Sequence, residues 1–274
     1  MSDANAVVAI RGLSKTFGNA GSETMALSGI DLVIQPGEFV SLIGPSGCGK
    51  STLLRLIGDL TAPSSGSVLV NGKPAAEARL GREYGMVFQA PVLFDWRTIE
   101  ANVALPLEIV DMPRSQRAGR IAEMLKLVEL SDFARHHPWQ LSGGMQQRAA
   151  IARALAFEPR LLLMDEPFGA LDEMTRERMN AELLRIWEQT GITIVFVTHS
   201  IPEAVFLSSR IVVMSARPGR ITRIIDVDLP RPRSDATREL DGYFSHVTEV
   251  RESLKAGHGT ADGAVLGTPS EALP

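Results

Sequence analysis

The chain has 274 residues, 45% of them hydrophobic, a net charge of −4 and a sequence pI near 5.8. That length supports one large α/β domain or a core with a smaller lobe, and the acidic balance lacks the basic footprint of a nucleic-acid binder, so no nucleic-acid partner is expected. The single cysteine, Cys48, excludes an internal disulfide and fits a reducing compartment. Met1 to Val8 does not read as a leader, and no stretch approaches the roughly 18 apolar residues of a spanning helix.

In chain order, Val7 to Leu13, Ile30 to Ile34, Phe39 to Ile43 and Ser67 to Val70 are expected strands, separated by turn-rich segments. Between the third of these and a helix expected over Ser51 to Ile57 lies Gly44-Pro45-Ser46-Gly47-Cys48-Gly49-Lys50-Ser51, which matches G-x-x-x-x-G-K-[ST]. In that pattern a glycine-rich turn aims backbone N–H groups at phosphate oxygens, the lysine reaches the β/γ-phosphates, and the hydroxyl ligates Mg²⁺. The order strand, glycine turn, helix places a triphosphate at a helix N-terminus. A glycine-rich surface turn is the competing reading of the motif alone.

Gly85 to Phe88 is expected as a strand ending before Gln89. From about 91 to 155 the pattern turns helical, with Ile121, Met124, Leu125, Val128 and Leu130 on one stripe. Within it, Leu141-Ser142-Gly143-Gly144-Met145-Gln146-Gln147-Arg148 opens a helix through Ala156 and offers a hydroxyl and bare amides at its N-terminus, a second anion site or simply a capped loop. Alternation resumes with a strand at Arg160 to Met164, a helix across Met174 to Thr190, and strands at Thr193 to Val197 and Arg210 to Ser215. This predicts a mostly parallel sheet covered by helices. The chain divides into a domain over 1–230, a helical extension over 231–256 with its helix at about Arg238 to Leu254, and a tail over 257–274 whose composition predicts disorder.

Leu161 to Met164 reads as a buried strand delivering Asp165 and Glu166 to the sheet edge where α/β ligands bind. Asp165 is the candidate to help hold Mg²⁺ and Glu166 the candidate general base for an attacking water. An Asp-Glu-Pro turn closing a core strand is the alternative. His136 and His137 are expected as exposed loop residues, not metal ligands.

With these three motifs in order, the chain resembles the ATP-binding subunit of an ATP-binding cassette (ABC) transporter over Val7 to Val227. Ala90 to Ile99, Asn102 to Leu107 and Arg217-Pro218-Gly219-Arg220-Ile221 are similar to the nitrate, sulfonate, taurine, bicarbonate and pyrimidine-precursor importer group, although relatives often carry Leu-Pro-Trp where this chain has Phe94-Asp95-Trp96. The resemblance implies a P-loop NTPase fold, α/β, with a parallel core, an antiparallel β subdomain and a helical lobe. It also implies ATP with Mg²⁺, and an ATPase that energises transport.

Residue by residue, it implies that Phe17 stacks on adenine. Gly44, Pro45, Ser46, Gly47, Cys48, Gly49, Lys50, Ser51 and Thr52 hold the phosphates. Gln89 touches Mg²⁺ and the attacking water, and Asp172 lies at a dimer interface. His199 bonds the γ-phosphate, and Ser142, Gly143 and Gly144 close over the nucleotide of a second copy. The implied partners are a second cassette subunit, identical or paired, in head-to-tail contact, transmembrane permease subunits, and an extracytoplasmic substrate-binding protein. The location would be the cytoplasmic face of the membrane, and the cargo a small organic or inorganic anion or a vitamin precursor. The alternative is a soluble ABC-type ATPase acting on a non-membrane partner.

Overall fold

The computed structural model describes residues 5–18 and 22–259. Its strands are β1 (Val8–Phe17), β2 (Thr24–Ile34), β3 (Phe39–Ile43), β4 (Ser65–Val70), β5 (Lys73–Pro74), β6 (Tyr84–Val87), β7 (Leu161–Asp165), β8 (Thr193–Val197), β9 (Arg210–Met214) and β10 (Ile221–Asp226). Its α-helices are α1 (Lys50–Ile57), α2 (Ala75–Leu80), α3 (Ile99–Ile109), α4 (Arg114–Leu127), α5 (Gly143–Leu155), α6 (Glu173–Thr190), α7 (Ile201–Leu207) and α8 (Asp241–Gly259).

The strands form two sheets. An antiparallel sheet runs β2-β1-β4-β5, and a six-stranded sheet runs β10-β9-β3-β8-β7-β6. In the second, every neighbouring pair is parallel except the β9–β10 hairpin. Parallel strands carry helices on both faces, so their residues must be apolar in both directions. Along β3, β7 and β8 this is what the sequence supplies. Phe39, Leu162, Met164, Ile194 and Phe196 enter one core with α3 to α7, whereas Val40, Leu42, Leu161, Leu163, Val195 and Val197 enter the other with α1 and the antiparallel sheet. Each such fully buried side chain contributes roughly 1.5–3 kcal/mol by leaving water. The strand ends that carry chemistry therefore rest on a support packed from both sides.

Several expectations shift. β1 and β2 run on past the apolar stretches, to pair Phe17 with Thr24 through register irregularities. β10, α2 and α7 were not expected. β10 is an edge strand with one buried residue, Ile225, and α2 and α7 are too short for a helical stripe to register. α8 continues to Gly259, through the first three residues of the expected disordered tail. Gly257 is buried there, with Ser215 and Thr222 of the β9–β10 hairpin within ordinary contact distance of its Cβ position, so the helix end packs on the hairpin. Residues 260–274 of that tail lie outside the described residues. His136 and His137 are half-buried instead of exposed, the first beside the Phe133 ring and the second stacked on Trp139. Among the described residues no helix is long and apolar enough to cross a membrane.

Candidate functional site

The turn from β3 into α1 is built on backbone that only glycine tolerates well. Gly49, the residue before α1, has φ 99°, and an added Cβ would fall 2.6 Å from Leu27 Cδ2. No side chain caps α1, so its first N–H groups have no side-chain partner and face the turn. Lys50, only 6% exposed, folds into the same turn, where its Nζ donates to the carbonyls of Gly44 at 2.8 Å and Pro45 at 3.1 Å. The ammonium's third direction meets Cys48 Sγ at 3.9 Å, a weak acceptor. Among the described residues no carboxylate forms an ion pair with Lys50. A buried cation facing uncapped amides favours an anion, and the helix dipole adds to it. Burial raises the Cys48 thiol pKa despite the lysine beside it, so the sulfur packs as a neutral group.

Ser51 Oγ donates to Asp165 Oδ1 at 2.6 Å, joining the first turn of α1 to the end of β7. A hydroxyl and one carboxylate in contact are a hard-cation donor set, and they fit Mg²⁺, which uses few protein carboxylates and keeps its waters. The next residue, Glu166, has φ 47°, left-handed backbone that costs a non-glycine residue on the order of 1–2 kcal/mol. Its N–H donates to Val197 O at 3.1 Å, which holds the strained turn against the end of β8. That conformation brings Glu166 Oε2 within 3.4 Å of His199 Nδ1.

These groups line one cavity of about 770 Å³, open to solvent, with Phe17, Ser46, Lys50, Ser51, Thr52, Glu166 and His199 on its walls. Phe17, at the end of β1, is 45% exposed and has Lys15 Nζ 4.8 Å from its ring centre. Thr24, Ala26 and Arg217 also line it, and sequence reasoning missed all three as site residues. Arg217 comes from the β9–β10 hairpin and donates through Nε to Gly47 O at 3.0 Å. Its Arg-Pro-Gly-Arg context was visible in the sequence, but its distance along the chain from the glycine turn hid the contact. A larger cavity, about 990 Å³, opens at the opposite edge of the sheet among Gly37, Arg160 and Thr193 and holds none of the phosphate-loop residues.

Gly44, Pro45, Cys48 and Asp165 adjoin wall residues without lining the 770 Å³ cavity, and five further candidates lie outside it. Ser142 caps α5 by accepting from Met145 N at 3.4 Å. Gly143 and Gly144 lie close to the α6 segment, where added Cβ atoms would meet Leu171 at 3.5 Å and Thr175 at 3.0 Å. Asp172 caps α6 by accepting from Thr175 N at 3.0 Å, and that bond holds its carboxyl below the ordinary range. Exposed Gln89 lies near Gly169, 3.2 Å from where a Cβ would stand. One chain thus carries the phosphate turn, Glu166 and His199 in one cavity, and the Ser142 to Gly144 helix end with Asp172 on another surface.

Comparisons with known proteins agree with this architecture. Residues 27–169 match the family described as ABC transporter. The chain is 45% identical over 251 residues to an uncharacterised ABC transporter ATP-binding protein of Methanocaldococcus jannaschii, covering 90% of this chain and 93% of that one. It is 44% identical to the aliphatic sulfonates import ATP-binding protein SsuB of Bacillus cereus, covering 89% and 96%. It is 48% identical to the bicarbonate transport ATP-binding protein CmpC of Synechococcus elongatus, covering 82% of this chain and 34% of that one. Among solved structures, the dimeric cassette MJ0796 in a post-hydrolysis state bound to ADP and Pi is 39% identical with a TM-score of 0.70, covering 80% of this chain and 98% of that one. The chain belongs to the ABC transporter ATP-binding family and is a transport ATPase subunit of that family.

Proposed function

We propose that the protein hydrolyses MgATP between two cassette subunits facing head to tail, and that this cycle drives the permease of an importer. The observation that carries the reading is the pairing of a buried, carboxylate-free Lys50 under uncapped α1 amides with a strained Glu166 beside His199. Lys50 and the turn amides bind the phosphates, and Phe17 takes the base. Ser51 and Asp165, with Gln89, hold Mg²⁺, which when bound screens charge on the phosphates. Glu166 accepts the proton of the attacking water, and His199 donates to the γ-phosphate and steadies Glu166. Exposed Ser142, Gly143 and Asp172, with Gly144 buried behind them, line no part of their own chain's cavity and serve the partner's nucleotide. The dimeric ADP and Pi complex of the related cassette supports that reading.

The permease meets the segment after Gln89. There Trp96 is 74% exposed and Val92 is exposed, while Leu93 packs into the core, so the loop is anchored by one apolar residue and presents others. Relatives named for sulfonate import and bicarbonate transport support a small anion as cargo. In this reading an extracytoplasmic binding protein delivers it and the subunit works at the cytoplasmic face of the membrane. Glu166→Gln tests the core of the reading. Size-exclusion chromatography with ATP should show a stable dimer that turns over slowly, and a variant that stays monomeric with ATP bound counts against it.

A further inference from the structure

Behind the cavity lies a buried carboxylate that the chemistry above does not use. Glu203, in α7, is 5% exposed. Its Oε2 accepts from the Thr198 hydroxyl, and the same Thr198 Oγ1 accepts from Ser200 N at 2.9 Å. Ser200 Oγ in turn accepts from Glu203 N at 3.4 Å. Thr198 and Ser200 are the two neighbours of His199, so the carboxylate holds one side of the histidine directly through the Thr198 hydroxyl and the other through Ser200 N on that same hydroxyl, while Ser200 Oγ is bonded to the Glu203 backbone. The ties matter because the His199 side chain is itself 60% exposed, with Glu166 as its one polar partner among the described residues. Little else fixes its direction.

The same carboxylate looks toward α6. Glu203, Arg176, Gly169, Glu166, Thr198 and His199 surround a small void of about 10 Å³, and Arg176 Nη2 donates to Leu171 O at 2.8 Å. Arg176 thereby joins this void to the segment ending in Asp172, the residue that caps α6 on the surface proposed for the partner. Arg176 Nε is buried without a hydrogen-bond partner, at a cost of about 1–3 kcal/mol, while the buried Asn180 side chain lies beside the Glu203 carboxyl and favours its charged form.

We propose that Glu203 is a positioning residue for His199, holding the histidine through Thr198 and Ser200 and linking it through Arg176 to the Asp172 segment. The inference rests on the proposed role of His199 at the γ-phosphate. In this arrangement Glu203 touches no nucleotide. It sets the angle at which His199 meets Glu166 and the phosphate, so its loss acts on the chemical step and leaves nucleotide binding alone. Glutamine keeps the acceptor for the Thr198 hydroxyl, and leucine removes it.

The test measures steady-state ATPase activity and fluorescent ADP binding on the full-length chain for His199→Ala, Glu203→Leu, Glu203→Gln and Thr198→Val. Expected are a kcat at least tenfold lower for Glu203→Leu and for Thr198→Val, with KM for ATP and ADP affinity within about twofold of wild type, most of the rate restored in Glu203→Gln, and a Glu203→Leu/Thr198→Val double variant no slower than the worse single one. ADP binding reports that each variant is folded. Should Glu203→Leu fail to fold, Thr198→Val carries the same expectation alone. If His199→Ala is inactive while Thr198→Val and a folded Glu203→Leu turn over at the wild-type rate, this proposal is overturned and the role of His199 stands. If His199→Ala itself keeps full activity, both fall together.

Discussion

Lys50 is held by two carbonyls and, among the described residues, pairs with no carboxylate, so its charge is only partly compensated and on the proposed reading a phosphate completes it. Removing a charged donor of this kind costs about 1.5–3 kcal/mol, and Lys50→Ala is expected to weaken ATP binding by roughly ten- to a hundredfold as read by nucleotide titration. Glu166 shows a different residue-scale logic. A glutamate in left-handed backbone is a local cost that persists because the Val197 carbonyl and the end of β8 hold the turn. Glu166→Gln should leave ATP affinity near wild type and lower the turnover rate by about 10²–10⁴, the range that a general base supplies. Gly49→Ala should lose nucleotide binding and stability together, because φ 99° and the Leu27 side chain 2.6 Å away both oppose a Cβ.

At the scale of elements, the chemistry depends on short connections pinned by buried polar groups. Asn102, fully buried on α3, accepts from Phe94 N at 2.7 Å and donates to the carbonyls of Phe94, Arg97 and Thr98. Together with Arg97, whose guanidinium donates to Ala101 O and Glu108 Oε2, it ties the exposed Trp96 loop to the helix behind it. Asn102→Leu leaves those backbone groups unmet, so a stability loss of about 1–3 kcal/mol is expected by denaturant unfolding, together with weakened co-purification of any permease. The α7 carboxylate adds a pH dependence. Burial raises the Glu203 pKa above its ordinary 4.5, with the Thr198 hydroxyl, Arg176 and His199 opposing. The unfolded chain releases that proton near the ordinary value and the fold retains it to higher pH, so the fold binds more protons in the interval and stability falls as pH rises through it. Wild type should therefore lose more melting temperature than Glu203→Gln between pH 5 and 8.

For the whole molecule, the decisive feature is that the Ser142 to Gly144 helix end and the phosphate turn occupy different surfaces of one chain. Ser142→Arg should abolish ATP turnover while ADP binding to the isolated subunit persists. Unchanged turnover would point to a chain that works alone. Much of this was legible beforehand, because the phosphate turn, Asp165-Glu166 and the apolar runs of β3, β7 and β8 are contiguous signals whose chemistry sits within a few residues. Arg217, Thr24 and Glu203 left no such mark. Each reaches its place through strand order, across a sheet or a hairpin, and a lone Arg, Thr or Glu in a sequence says nothing of what lies opposite. The amino-acid order by itself determined the glycine-rich turn between β3 and α1, the two-sided sheet and the family, since backbone freedom at glycine and apolar periodicity act locally. Only the tertiary structure decided which distant groups share the cavity, how Glu166 comes to face His199, and which carboxylate steadies that histidine, because those contacts exist only once β3, β7, β8 and β9 lie side by side.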